Sequence, residues 1–206
     1  MKKLLVVLFV SSISINSIFV NNIEASDIKE FEIAGMSIGD SLLKFYSKNE
    51  IINAKKKNTY QKYPGGKFAI ISFPDTKNKD QYEAIIFVIK PNDNKYKIYS
   101  IAGRIAFKNR LQACKKKMNS IFDEISKIIT NPNYRKEDGP HFEDKTGKSM
   151  TYGYVFYLER GAVDLYCVDW SKEFESEKGY ADQLNVTIHS HEMRTYLTNM
   201  YEKRNR

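Results

Sequence analysis

Gly39-Asp40-Ser41-Leu42 sets a serine between an acid and an apolar residue, and far downstream Asp138-Gly139-Pro140-His141 spaces an acid and an imidazole three apart. Together they hold the groups of acyl transfer. Ser41 would attack, His141 would take its proton, and Asp138 would hold the imidazole tautomer. A second constellation, His189-Ser190-His191-Glu192, puts two imidazoles beside a carboxylate, the donor types of a zinc site. No third ligand follows from the sequence, so neither metal nor cofactor is expected. Glu137, Asp138, Glu143 and Asp144 gather four carboxylates at a spacing that fits no calcium loop, which reads as a solvated loop.

Aromatic residues offer a different chemistry. Tyr152, Tyr154 and Phe156 alternate along one strand, and Tyr166 and Trp170 share a face of its hairpin neighbour. Rings aligned in this way can stack on sugars or meet a partner's apolar surface, although they are also ordinary sheet core. Lys55 to Lys57 and Lys115 to Lys117 are two basic runs on solvated faces.

The word at Ser41 resembles the signature of the GDSL-type serine esterases. The resemblance implies a serine after a buried parallel strand, an Asp-x-x-His near the C-terminus, and an oxyanion hole using a Gly-x-Asn-Asp block. Here Asn92-Asp93 is preceded by Lys90 and Pro91 instead. Glu32 and Ser37 break the apolar strand that should lead to Ser41, and three strand-like runs follow in succession. A simpler reading makes Ser37 and Asp40 a capping box and Ser41 an exposed helix residue.

The elements that must position these groups follow from periodicity. Ile38, Leu42, Leu43 and Tyr46 fall on one helical face, and Ser47 with Glu50 caps a short second helix. Residues 67–73, 81–90 and 96–107 read as strands with spacers too short for helices, hence an antiparallel meander. Asn109 is expected to cap a helix whose stripe runs from Leu111 through Cys114, Met118, Ile121 and Ile125 to Ile129, stopped at Asn131-Pro132. Residues 134–148 read as a long exposed loop. A hairpin turning at Arg160-Gly161 comes next, then a charged loop over 172–183, the strand "LNVTIHS" and a last helix capped by Ser190. The expected fold is α+β, antiparallel sheet with helices on one face, in the order α-βββ-α-βββ-α.

The first residues carry Lys2 and Lys3, an apolar run from Leu4 to Val10 and the small Ala25, the order of a signal peptide cleaved near Ala25. A single α+β domain over 26–206 remains, and its division into two βββα units, about 60–131 and 149–206, stays open. The leader holds two lysines and one glutamate, so the net charge of +8 becomes +7 after cleavage. A basic exported chain points to an envelope protein or an anionic envelope component as partner, and export argues against nucleic acid. The two cysteines, Cys114 and Cys167, would lie in one helix–sheet interface and form a disulfide in an oxidising compartment.

The stretches "GMSIGDSLLKFYSKNEI", "YKIYSIAG" and "CVDWS" resemble small exported proteins of AT-rich, marine alphaproteobacterial genomes. The resemblance implies a periplasmic or secreted address and carries no activity. Gly35-Met36-Ser37 also resembles the opening of small lipoproteins of outer-membrane assembly. The expected function is therefore binding without catalysis. An esterase using Ser41, Asp138 and His141 is one alternative, and a small-ligand carrier using the aromatic hairpin is another.

Overall fold

The computed structural model describes residues 27–74, 81–129 and 132–204. The leader expected over residues 1–25 and its cleavage point lie outside the described residues. The chain is α+β. A ribbon of β1 (Glu32–Ile33) and β2 (Met36–Ser37) is followed by α1 (Lys48–Lys55), β3 (Tyr60–Lys62), β4 (Ala69–Pro74), β5 (Ala84–Ile89) and β6 (Ser100–Ala106). Next come α2 (Leu111–Ile128), β7 (Asn133–Pro140), β8 (Met150–Leu158) and β9 (Gly161–Asp169). The chain closes with α3 (Lys172–Lys178), β10 (Gln183–Ser190) and α4 (His191–Arg204). Eight strands form one antiparallel sheet in the order β3-β4-β5-β6-β10-β9-β8-β7. The strands of the two expected units thus share one sheet, because β10 pairs with both β6 and β9.

Alternation along each strand gives the sheet two unlike faces. Ile71, Phe73, Ile85, Phe87, Ile101, Val163, Leu165, Leu184, Val186 and Ile188 point to the main core. Against them lie α2, through Cys114, Met118, Ile121 and Ile125, and the N-terminal segment, through Ile28, Phe31, Ile33, Met36, Leu42 and Ile51. Burying each large side chain contributes about 1.5–3 kcal/mol. Cys114 and Cys167 stand at disulfide distance in this interface, with Cα atoms 6.0 Å apart, where the helix stripe and strand alternation place them. Among the described residues no helix is long and apolar enough to cross a membrane.

The meander, the capped α1, the long α2, the Arg160-Gly161 hairpin and the Ser190 cap all form as expected. Other expectations fail, each for a local reason. No helix forms over 38–46: Gly39 takes a φ of +92°, and backbone bonds from Gly39 and Leu42 to Ile98 and Tyr96 hold the segment extended. Only a 3₁₀ turn at Leu42–Lys44 remains, capped by Ser41. Asn109 does not cap α2. It adopts a left-handed φ of 60°, its backbone N–H donates to Asp182, and Arg110 is the cap residue.

The expected loop over 134–148 begins as edge strand β7, where charged side chains blunt an exposed edge. The charged stretch 172–183 contains α3, capped by Ser171 and ended by Gly179 at φ +69°. The helices are also not confined to one face. Met193 of α4 packs on Phe68 and Val88, so α4 lies opposite α2.

Candidate functional site

Between α4 and the open face of the sheet lies a cleft of about 1270 Å³. Its floor follows from cross-strand register. Arg104, Asn185, Tyr166, Gly153 and Glu137 form one row across β6, β10, β9, β8 and β7. The next row is Ala102, Thr187, Asp164, Val155 and Arg135, and Ser100 with His189 begins a third. These polar residues occupy the alternate positions of strands whose other face is core. α4 supplies the roof through Arg194, Leu197 and Met200. Its far end meets Phe142, whose ring lies 5.5 Å from that of Tyr201, and Tyr196 donates to the Pro64 carbonyl at 2.5 Å.

The floor is held by charge-assisted contacts. Arg194 Nη1 donates to Asp164 Oδ2 at 3.1 Å, and His189 Nε2 lies 3.4 Å from the same oxygen. Burial opposes the charge of Arg194, yet Asp164 and Tyr157 more than offset this and hold its pKa above the ordinary value. Tyr166 lies over Gly153, where no side chain intervenes, and donates to Glu137 Oε2 at 2.5 Å. Burial first, then Asp164 and Glu137, keep that hydroxyl protonated far above the usual tyrosine range. Arg135 also pairs with Glu137.

Three buried polar atoms of this floor have no hydrogen-bond partner among the described residues: Asp164 Oδ1, His189 Nδ1 and Arg104 Nε. Asp164 is 5% exposed and His189 8%. Buried polar atoms are normally hydrogen-bonded, and leaving one unpaired costs about 1–3 kcal/mol. All three belong to residues that line the cleft. Three of the large exposed aromatics, Phe142, Tyr180 and Tyr201, gather near one end, beside an inner group of His141, Trp170 and Phe174.

The residues singled out from the sequence are distributed differently. Ser41 lies beside the connection between β5 and β6, bridged to Lys97, and donates its hydroxyl to the Lys95 carbonyl. Asp138 pairs with Lys136 and accepts from Gly153 N, while His141 stacks between Phe142 and Trp170 and accepts from Glu143 N at 3.3 Å. No hydrogen bond joins Ser41, Asp138 and His141 to one another among the described residues. His141 is held neutral by burial, its pKa lowered to about 4 despite Asp144.

The aromatic hairpin divides between faces. Tyr152, Tyr154 and Phe156 lie beneath α2, with Lys115 over Tyr152 and Phe122 against the other two. Tyr166 faces the cleft, and Trp170 is enclosed with Phe174. His189 is buried facing Asp164, whereas His191 is exposed at the start of α4 and Glu192 pairs with Lys67 and Lys90, so the two imidazoles diverge. Among the described residues no group of three or more His, Cys, Asp or Glu could hold a metal ion. Asp144 is structural: its carboxylate accepts from Thr146, Ser149 and Ser171 and organises the β7–β8 connection.

Sequence reasoning missed Arg104, Asp164, Asn185, Thr187 and Arg194. Arg104 and Asp164 interrupt otherwise apolar strands, "SIAGRIA" and "GAVDLYCVD", and that interruption was the available signal. Compared with known families, curated proteins and solved structures, the chain matches none.

Proposed function

We propose that this chain is an exported binding protein that holds a small molecule in the cleft between α4 and the sheet. The observation that carries the reading is the set of buried, unpartnered atoms of Asp164, His189 and Arg104 on one cleft floor. A ligand that pairs with them recovers the desolvation they have already undergone. Apolar groups of Ile70, Ile86, Leu197 and Met200 beside that floor favour a ligand with an apolar part. Export is supported by the leader-like first 25 residues and by the cysteine pair at disulfide distance, a bond that persists in oxidising compartments. The envelope component expected from the basic charge then becomes the ligand in the cleft, and the hairpin carrier reading moves to the opposite side of the sheet.

Native mass spectrometry of protein purified from its own exported fraction tests this. The expected spectrum carries an adduct of small-molecule mass that denaturation releases and that Asp164→Asn with His189→Ala loses while still folding. A bare chain at every stage, together with unchanged cleft amide signals when the exported fraction's small molecules are added back, would refute the reading. N-terminal sequencing of the same sample checks cleavage near Ala25.

A further inference from the structure

The chemistry of the ligand can be read from the charges left over in the cleft, given the binding reading above. Most charged groups on its walls are matched within the protein: Arg194 with Asp164, Arg135 with Glu137, and Lys136 with Asp138. Lys62, Glu143 and Glu202 are exposed at its margins. Arg104 differs from all of these. Its guanidinium is partly buried, and among the described residues it has no carboxylate within ion-pair distance and no acceptor for its enclosed Nε. Glu83 and Tyr180 act on it only at a distance, and burial pulls its pKa below the ordinary value.

The surroundings of Arg104 are shaped to admit something. Its cross-strand neighbours are the small Ala84 on β5 and Asn185 on β10, and the adjacent positions on its own strand face are Ala102 and Ala106. Of these neighbours, Ala102 and Asn185 line the cleft beside it. Ile86 lies directly opposite Ala102, so an apolar strip starts one step from the charge and continues toward Ile70 and Val88. Asp164 lies across β10 from it on β9, and His189 stands on β10 itself, four residues along from the Asn185 that pairs with Arg104. From strand spacing and rise, the Cα atoms of Arg104 and Asp164 are about 12 Å apart, so one extended ligand can address both.

We infer that Arg104 anchors the carboxylate of an amphipathic organic acid, with its apolar chain lying along Ile86 toward Leu197. Arg104 is the cation on the cleft floor that lacks an ion pair among the described residues, and the planar fork of arginine matches a carboxylate with two parallel hydrogen bonds. A phosphate ester would bring nearly two charges toward a floor that already holds Asp164 and Glu137, which disfavours it. Asp164 and His189 then take hydrogen-bond donors from the ligand's other end.

Calorimetric titration of the purified chain with decanoate, its neutral isostere decanamide and decyl phosphate tests the assignment, with amide signals of Asn185 and Thr187 reporting the place of binding. Decanoate should shift those signals and bind at least tenfold tighter than decanamide. Arg104→Met should erase that preference by weakening decanoate roughly ten- to a hundredfold, with decanamide unchanged. Arg104→Lys keeps the charge without the fork and should fall between, which preserves the test should Arg104→Met fold poorly. Equal binding of decanoate and decanamide at the cleft, or a preference that survives Arg104→Met, overturns the anchor while leaving the cleft reading intact. Tighter binding of decyl phosphate overturns the carboxylate assignment. Absence of any Asn185 or Thr187 shift overturns the inference, and the native mass measurement then decides the cleft reading separately.

Discussion

Replacing Gly153 by alanine should damage both stability and the cleft. A Cβ built at Gly153 would stand 2.2 Å from Tyr166 Cδ1 and 2.3 Å from the Leu165 carbonyl oxygen. Neither neighbour can yield cheaply: one is a ring packed across the strand, the other is the backbone of the paired strand β9. Overpacking of this kind costs about 1–3 kcal/mol. Moving Tyr166 also breaks its bond to Glu137, and a hydrogen bond to a charged acceptor contributes about 1.5–3 kcal/mol. The lower entropy of alanine in the unfolded chain returns about 0.5–1 kcal/mol. The net loss is about 1.5–5.5 kcal/mol, which for a domain of this size lowers Tm by roughly 3–20 °C. Scanning calorimetry of Gly153→Ala beside Tyr166→Phe measures it. Tyr166→Phe should lose only the hydrogen-bond share, and the losses of Gly153→Ala and Tyr166→Ala should be less than additive in the double variant because the clash disappears with the ring. A Gly153→Ala variant as stable as the parent would refute the claim that the bare backbone at 153 is required for Tyr166 to reach Glu137.

Three further outcomes follow from the structure. Changing Cys114 and Cys167 together to alanine releases a link spanning 53 residues, worth about 4 kcal/mol in the chain-entropy model, so thermal unfolding should fall by roughly 10 °C and the parent should behave likewise in reductant. His141, with its pKa lowered to about 4 by burial, should remain neutral at pH 5 in an NMR titration. Its unfolded form takes up a proton near pH 6.5, so the stability it contributes is complete above that pH and declines as pH falls toward 4. Hydrogen bonds from Ser149 and Thr146 hold the Asp144 carboxyl well below its usual range, so its contribution is present above about pH 4 and is lost on further acidification. Asp144→Asn should therefore flatten the acid limb of the stability curve and expose amides 145–149 to faster hydrogen exchange.

Much of the scaffold was legible because its signals are local. The stripe of α2 repeats at helical period over eighteen residues, β8 and β9 alternate about a tight turn, and β10 alternates as well. The Cys114–Cys167 proximity followed from the same patterns, since each cysteine lies on the apolar side of its element. β7 was hidden because an edge strand need bury little, so its charged residues read as loop. The segment at Ser41 misled for the opposite reason. Ile38 and Leu42 are both buried at helical spacing, yet Gly39 turns the chain and Ile98 captures its backbone.

The sequence by itself determined the α+β class, the long amphipathic helix, the disulfide-capable pair and which side chains alternate on each strand. Each of these depends on residues near one another in the chain. Only the tertiary structure decided the cleft. Arg104, Asp164 and His189 come from β6, β9 and β10, and their meeting depends on β10 inserting between two strands that precede it in sequence. Such an order is set by pairing between strands far apart in the chain, a property of the assembled sheet that no window of sequence contains. The roof is equally non-local, because α4 is polar on most of its surface and its placement rests on Met193 finding Phe68 and Val88, and on Arg194 finding Asp164.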